Sequence, residues 1–240
     1  MARAMFADRD DAGRRLGAAL GARPWARGAS HPLVLAIPRG GVPVAYHAAR
    51  ALGAELDLVV PRKIQIPWEP EAGFGAVTSD GTVTLNEPLV ARLGLAPGEV
   101  ESLAAGTVAE VRRREAAFRG GAPPPDVRGR AVVVVDDGIA SGFTMIAALR
   151  SLRARGAGTL AVGAPCAPAD SVDRVGPHAD DVVVLEVDRG WSFAVASHYE
   201  RWWDLDDEEV HGYLRRARGE GLFRPDAAAP PSPPDSPRNH

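Results

Sequence analysis

The sequence predicts one α/β domain: a central, mostly parallel sheet flanked by helices. Three observations lead there. Short apolar runs at residues 33–37 and 56–60 enclose a small-residue helical segment at 42–52, the strand–helix–strand order of a parallel βαβ unit. Residues 131–135, Ala-Val-Val-Val-Val, are the strongest strand signal, and a helical pattern at 144–155 follows them. The alternation continues through 160–164, a helical turn from Ala169, and 182–187.

The remaining elements fit around that frame. Residues 8–21 read as an amphipathic helix, with Asp8 or Asp10 as cap and Ala12, Leu16, Ala19 and Leu20 at helical spacing. Pro38-Arg39-Gly40-Gly41 turns the chain sharply after the first strand, and Arg62-Lys63 is expected at the end of the second. Ser79-Asp80-Gly81 between β-forming residues 74–77 and 82–85 predicts a hairpin. Helices are expected at 87–93, ending at Gly94, and at 97–118, with Val100, Leu103, Val108 and Val111 on the apolar side. The arginines at 112–114 read as a solvated face of that helix. A closing helix at 206–218 is acidic in its first turn and basic in its last, as the helix dipole favours. Residues 1–222 are thus expected to form the domain, and the Pro-, Ala- and Ser-rich 223–240 a disordered tail.

Bulk properties narrow the function. The 240 residues suit one sizeable core, and a net charge of −3 gives no basic field for nucleic acid or a membrane surface. A single cysteine, Cys166, excludes an intrachain disulfide. Charges run through residues 1–20, so no secretory h-region is present, and no apolar stretch approaches the ~20 residues that span a bilayer. A cytoplasmic location is expected.

The chemistry concentrates at residues 131–144. A β-branched strand ends in two carboxylates, Asp136 and Asp137, and a Gly-containing loop leads into a helix. Ligands of open parallel sheets bind outside the carboxyl ends of the strands. Unpaired N–H groups and the positive dipole end at a helix N-terminus suit a phosphate. Ser141 and Thr144 add hydroxyls, and Gly142 permits close backbone approach. Ionised Asp136 and Asp137 only accept hydrogen bonds, so they suit sugar hydroxyls beside the phosphate. A phosphorylated ribose satisfies both halves. Carboxylate pairs also end strands in P-loop enzymes and receiver domains, but no Walker A loop is present.

This segment resembles the signature of type I phosphoribosyltransferases, which bind 5-phosphoribosyl-1-diphosphate (PRPP). The runs Ile37-Pro38-Arg39-Gly40-Gly41-Val42-Pro43-Val44, Arg62-Lys63, Gly73-Phe74-Gly75-Ala76-Val77 and Val135-Asp136-Asp137-Gly138-Ile139-Ala140 are similar to a bacterial branch of unassigned acceptor. The resemblance covers roughly residues 5–215. Some members of that branch carry a hydrolase domain, for which this length leaves no room. The resemblance implies a type I fold with a small hood and a flexible lid, here residues 65–87. Arg39, Gly40, Gly41 and Lys63 would hold the diphosphate. Ala140, Ser141, Gly142, Phe143 and Thr144 would hold the 5-phosphate, and Asp136 and Asp137 the ribose. Arg39, Lys63, Asp136 and Asp137 are the implied catalytic set. Mg²⁺ is the implied cofactor, carried by PRPP, with Asp136 or Asp137 reached through water. The implied partners are PRPP and a small-molecule acceptor, a nucleobase or related heterocycle, and a homodimer is one assembly to expect.

Four positions depart from the family pattern. Gly138 stands where a bulky apolar residue is common, Phe143 where Gly is common, and Ser141 where Thr is usual. Ala140 replaces the Asp that enzymes salvaging hypoxanthine and guanine set near N7 of the base. The aromatic residues Trp191, Phe193, Tyr199, Trp202 and Trp203 follow the last strand, where a hood forms. They could stack on a base, but packing of the C-terminal helix onto the sheet is the favoured expectation. His198 reads as a local hydrogen-bonding residue and Cys166 as a small core residue. Two other readings stay open: a PRPP-binding regulator without turnover, and chemistry on a related phosphosugar.

Overall fold

The computed structural model describes residues 5–28 and 32–224. The chain runs α1 (Arg9–Gly21), α2 (Pro24–Gly28), β1 (Leu33–Ala36), α3 (Gly41–Leu52), β2 (Glu55–Leu58), β3 (Arg62–Ile66), β4 (Glu69–Val77) and β5 (Val83–Leu85). It continues with α4 (Glu87–Leu93), α5 (Pro97–Arg119), β6 (Val132–Val135), α6 (Phe143–Ala154), β7 (Leu160–Pro168), α7 (Ala169–Val175), β8 (Asp181–Asp188) and α8 (Asp207–Gly219). Five strands form a parallel sheet in the order β2-β1-β6-β7-β8, and β3-β4-β5 form a separate antiparallel sheet. This is the expected fold class.

Alternation along the central strands divides the core. Val34, Ala36, Val133 and Val135 face one layer with Leu16 and Leu20 of α1, the apolar side of α3, and Val210 and Leu214 of α8. Leu33, Leu35, Val132 and Val134 face the other with Met145, Leu149 and Leu152 of α6 and Val175 of α7. Each central strand is buried on both sides, which is why it reads as a continuous apolar run.

The strand order reverses between β1 and β6, since β1 leads outward to β2 while β6 leads the other way to β7 and β8. A crevice opens at such a switch point, outside the carboxyl ends of the two strands. The Pro38–Gly41 turn and the acid pair end those two strands. The 38–39 peptide is cis.

One strand end differs from expectation. Arg62 and Lys63 do not close the second strand; β2 stops at Leu58, and they open β3. Val59 still donates to the Ala36 carbonyl at 3.0 Å. Pro61 then offers no N–H to a ladder, and the chain leaves the parallel sheet to pair antiparallel with β4. The 78–82 turn is formed as expected, with the Thr78 N–H on the Thr82 carbonyl at 3.1 Å. Helix α2 lacked a periodic signal. Phe223 is buried, and the Leu222 carbonyl accepts from Leu56, so packing reaches into the expected tail. Residues 225–240 lie outside the described residues.

Two contacts set helix positions. Arg119, ending α5, donates to Asp57 of β2 at 2.9 Å and Glu115 at 2.7 Å, and also to the Leu58 carbonyl. Helix α1 packs closely on α3 through glycine: a Cβ on Gly13 would meet the Val44 carbonyl oxygen at 2.8 Å, and one on Gly17 the Ala51 Cβ at 2.7 Å. Arg9, Gly13 and Gly17 recur every four residues, so the same face that needs glycine carries Arg9 toward the sheet.

Helix propensity favours Ala over Gly by about 1 kcal/mol in a helix interior. Gly106 in α5 has open space around it, so Gly106→Ala should stabilise the fold by that amount in urea unfolding. Gly13→Ala should destabilise it, because crowding against α3 backbone costs about 1–3 kcal/mol and outweighs propensity.

Candidate functional site

Strand β6 ends at Val135, and two acidic residues follow it. Asp136 keeps one ladder bond, its N–H donating to the Gly163 carbonyl of β7 at 3.2 Å, and the Asp137 N–H donates to Asp136 Oδ1 at 2.8 Å. β7 runs further than β6, and its Cys166 carbonyl accepts the Ile139 N–H at 2.9 Å, holding the loop that follows.

Facing the pair is the turn after β1. A Cβ on Gly40 would lie 1.9 Å from Asp137 Oδ2, and one on Gly41 would lie 2.9 Å from Asp136 Cα and 2.7 Å from the Val135 carbonyl oxygen. Only glycine fits this approach. The two motifs, almost a hundred residues apart in the chain, are thus in van der Waals contact.

Asp137 has a partner that sequence reading missed. Arg9 Nε donates to Asp137 Oδ2 at 2.8 Å, with both side chains largely buried. Arg9 also donates to the Trp203 carbonyl at 2.9 Å, and its guanidinium lies 3.7 Å from the centre of the Trp202 ring. The signal was present: Arg9 falls on the stripe Ala12-Gly13-Leu16, the buried face of α1. A charged residue on an apolar stripe needs a buried partner. Burial pushes both carboxyls up from the usual range, and the two charges oppose each other. Arg9 counters the rise at Asp137, so Asp136 is the one raised further.

The loop 138–142 then enters α6. Gly142, at φ +81°, adopts the left-handed conformation before Phe143. The first turn of α6 leaves its N–H groups without intrahelical partners. Ser171 and Arg174 of α7 steady the loop from behind, donating to the Ala140 carbonyl at 2.5 Å and the Ser141 carbonyl at 2.6 Å. Ala140 and Ser141 are exposed, while Phe143 and Thr144 are half-buried. The Arg174 guanidinium lies 5.6 Å from the Phe143 ring centre.

Arg39 and Lys63 sit differently from the acid pair. Arg39 is exposed and approaches Asp207 of α8 at 3.8 Å. Lys63 lies on β3 with its stem across the lid strand: a Cβ on Gly73 would meet Lys63 Cγ at 2.0 Å. Within residues 65–87, Phe74, Ala76 and Val77 are core residues, and Asp80 accepts from Ser151 of α6 at 2.5 Å. Trp68, at the β3–β4 turn, is exposed.

The aromatic group divides rather than packing α8 as a unit. Tyr199 is buried against Phe6, with ring centres 5.5 Å apart, and its hydroxyl donates to the Asp137 carbonyl at 2.6 Å. Trp202 stacks beside Tyr199 at 5.1 Å. Trp203 alone reaches α8, donating to Glu209 at 2.9 Å. Trp191 is fully exposed. Tertiary contact with the N-terminal segment, which no local pattern encodes, draws the group toward the acid pair. His198 Nε2 is buried without a hydrogen-bond partner among the described residues and lies 3.6 Å from Asp188. The Gly138 departure has a steric cause, since a Cβ there would meet Val195 Cγ1 at 2.5 Å and Cys166 Sγ at 3.1 Å. Cys166 is a core residue as expected, its thiol pushed up to about 12 by burial and the neighbouring carboxylates.

Two stability effects follow. Arg9→Met should destabilise the fold by about 3–5 kcal/mol in urea unfolding, and adding Asp137→Asn should return much of it, because the loss comes from an unpaired buried charge. Asp136→Asn should raise the Tm at neutral pH. A raised folded-state pKa means that stability is fully present below the unfolded value of 3.8 and lost as pH rises through the folded one. The variant's advantage should therefore vanish below that unfolded value. A Tm–pH series in which the two proteins never converge at low pH would refute this assignment.

Residues 25–200 match the phosphoribosyl transferase domain family. The Mycobacterium tuberculosis proteins Rv0571c and MT0597, each provisionally named a phosphoribosyl transferase, are 38% identical over 213 residues, 89% of this chain. The chain spans about half their length, 47%. The crystal structure of TT1426 from Thermus thermophilus superposes with a TM-score of 0.72 at 36% identity, covering 88% of this chain and 98% of that one. By this family match and these relatives, the chain belongs to the phosphoribosyl transferase domain family.

Proposed function

We propose that the protein transfers the 5-phosphoribosyl group of PRPP to a nitrogen of a small heterocycle, a nucleobase or relative, and releases diphosphate. The observation that carries this reading is the contact of Gly40-Gly41 with Asp136-Asp137 at the β1/β6 switch point, beside the first turn of α6. Three kinds of group converge there: close backbone for a diphosphate, carboxylates for a diol, and unpaired amides for a phosphate.

In the transfer, the acceptor nitrogen forms a bond to C1 of the ribose as the bond from C1 to the diphosphate oxygen breaks. The bonding pair leaves with diphosphate, and the acceptor's proton passes to solvent. Negative charge grows on the leaving group, so donors aimed at it lower the barrier. Gly40 and Gly41 supply backbone amides. Arg39 and Lys63 supply cations, Arg39 by leaving its long, exposed contact with Asp207. Asp136 accepts from a ribose hydroxyl. Asp137 serves the same diol while its second interaction, with Arg9, fixes its orientation. Ala140 to Thr144 receive the 5-phosphate, with Ser171 and Arg174 holding the loop's shape. Lid closure belongs to the β3–β4 turn around Trp68, because the β4–β5 end is pinned by Asp80 and Ser151.

The donor set suits Mg²⁺ carried mainly by the substrate. Among the described residues no group of three or more His, Cys, Asp and Glu could cage a metal, and Asp136 offers one carboxylate for an outer contact through water. Mg²⁺ would supply charge neutralisation on the diphosphate. For the acceptor, Ala140 provides no hydrogen-bond acceptor toward a base, and exposed Trp191 offers an aromatic face. No helix among the described residues is long and apolar enough to cross a membrane.

Incubation with PRPP, Mg²⁺ and a panel of nitrogen heterocycles should release diphosphate with at least one of them. Tight PRPP binding with no turnover on any acceptor would favour a regulator instead. Asp136→Asn should weaken PRPP by about tenfold or more, the worth of one hydrogen bond to a charged group, while the Tm rises. Undiminished affinity in that variant would remove Asp136 from the site.

A further inference from the structure

The arginines at 112–114 looked like a solvated face, and two of them have a more specific setting. Arg113 and Arg114 line a cleft of about 430 Å³ with Arg39, Arg62, Glu110, Ala117 and Asp207. It lies where the turn after β1, the start of β3, the later turns of α5 and the first turn of α8 meet. Four guanidinium groups face two carboxylates, so the lining carries two excess positive charges.

The existing pairs leave that excess uncompensated. Arg62 pairs with Glu110 at 2.6 Å. Arg114 and Arg39 share Asp207 at 3.4 and 3.8 Å, longer than a good charge-assisted hydrogen bond. Asp207 is itself well exposed, and such a shared surface pair contributes little. A multiply charged anion can displace it. A shallow opening of this volume can seat a short phosphate chain. Forked guanidinium donors match phosphate oxygens in pairs. None of the acid pair or the phosphate-type loop lines the cleft. Arg39 alone belongs both to it and to the donor turn.

We infer that this cleft is a second anion site, which takes the di- or triphosphate group of a small molecule, and that filling it draws Arg39 away from the donor crevice. The binding stands on the cleft itself; the effect on the donor rests on the transferase reading above. An inorganic polyphosphate and a nucleoside triphosphate share the chemistry the arginines read.

Calorimetric titration of the full chain with inorganic tripolyphosphate, and separately with ATP, tests this. The expected result is one equivalent bound with PRPP absent or saturating, and PRPP affinity lowered when the cleft is full. Arg113→Gln with Arg114→Gln should weaken that binding by about a hundredfold or more, the scale of two lost charge-assisted hydrogen bonds. The double variant should keep its PRPP affinity, since both residues lie on α5 and belong to neither the turn after β1, the acid pair nor the loop before α6. Equal affinity for the two probes identifies the phosphate chain as the ligand, and tighter ATP binding identifies a nucleotide; both support the site. Undiminished binding in the variant, complete displacement by PRPP, or equal competition by sulfate at matched ionic strength would overturn it. If PRPP does not bind at all, the transferase reading fails while the variant comparison still decides the cleft.

Discussion

Two adjacent carboxylates at the end of a strand buried on both faces repel each other and lack full hydration. They persist there because Arg9 neutralises one of them at 2.8 Å. That requirement organises much of the molecule. Helix α1 must lie close enough to α3 for its first turn to reach β6, and Gly13 and Gly17 allow it. The same guanidinium sits on Trp202 and bonds the Trp203 carbonyl, so the segment after β8 is drawn to the acid pair as well. One buried cation thereby ties the N-terminal helix, the central strand and the hood-like segment together.

Charge asymmetry within the pair also divides labour. Asp137 is held by Arg9, and its backbone carbonyl by Tyr199. Asp136 has a single backbone donor and carries the pair's cost of ionisation. A group that is costly to ionise in the empty fold gains when a ligand brings hydroxyl donors and a cation near it, which is how stability is commonly exchanged for binding. The glycine turn works on the same principle from the other side. Its backbone can touch the carboxylates only because no side chain intervenes, and that closeness narrows the crevice between the two strand ends.

The antiparallel sheet is less free than a lid in sequence suggests. Phe74 and Val77 sit in the core, and Asp80 is bound by Ser151 on the very helix that begins at the phosphate-type loop. Lys63 pairs with Ala76, so it lies at this held end of the hairpin and away from the β3–β4 turn. Val195 over Gly138 shows a similar coupling between hood and loop: the residue missing from the loop is replaced by one from the hood.

Strands, helices, their order and the acid-pair loop were legible in the sequence, because period and β-branching are local properties and a strand buried on both sides must be apolar throughout. The glycine turn was legible as a turn, and its place in the site followed from resemblance. Arg62-Lys63 was misplaced, since the end of β2 depends on which neighbour each residue pairs with, and pairing is not local. The partner of Arg9 was hidden in the same way, although its place on the buried stripe of α1 announced that some partner must exist. Which aromatic residues cover the acid pair, which stands free at Trp191, and that Arg39 turns toward α5 and α8 were decided only by the tertiary structure. Those outcomes rest on contacts between segments far apart in the chain, where packing and charge balance choose among side chains that local pattern treats alike.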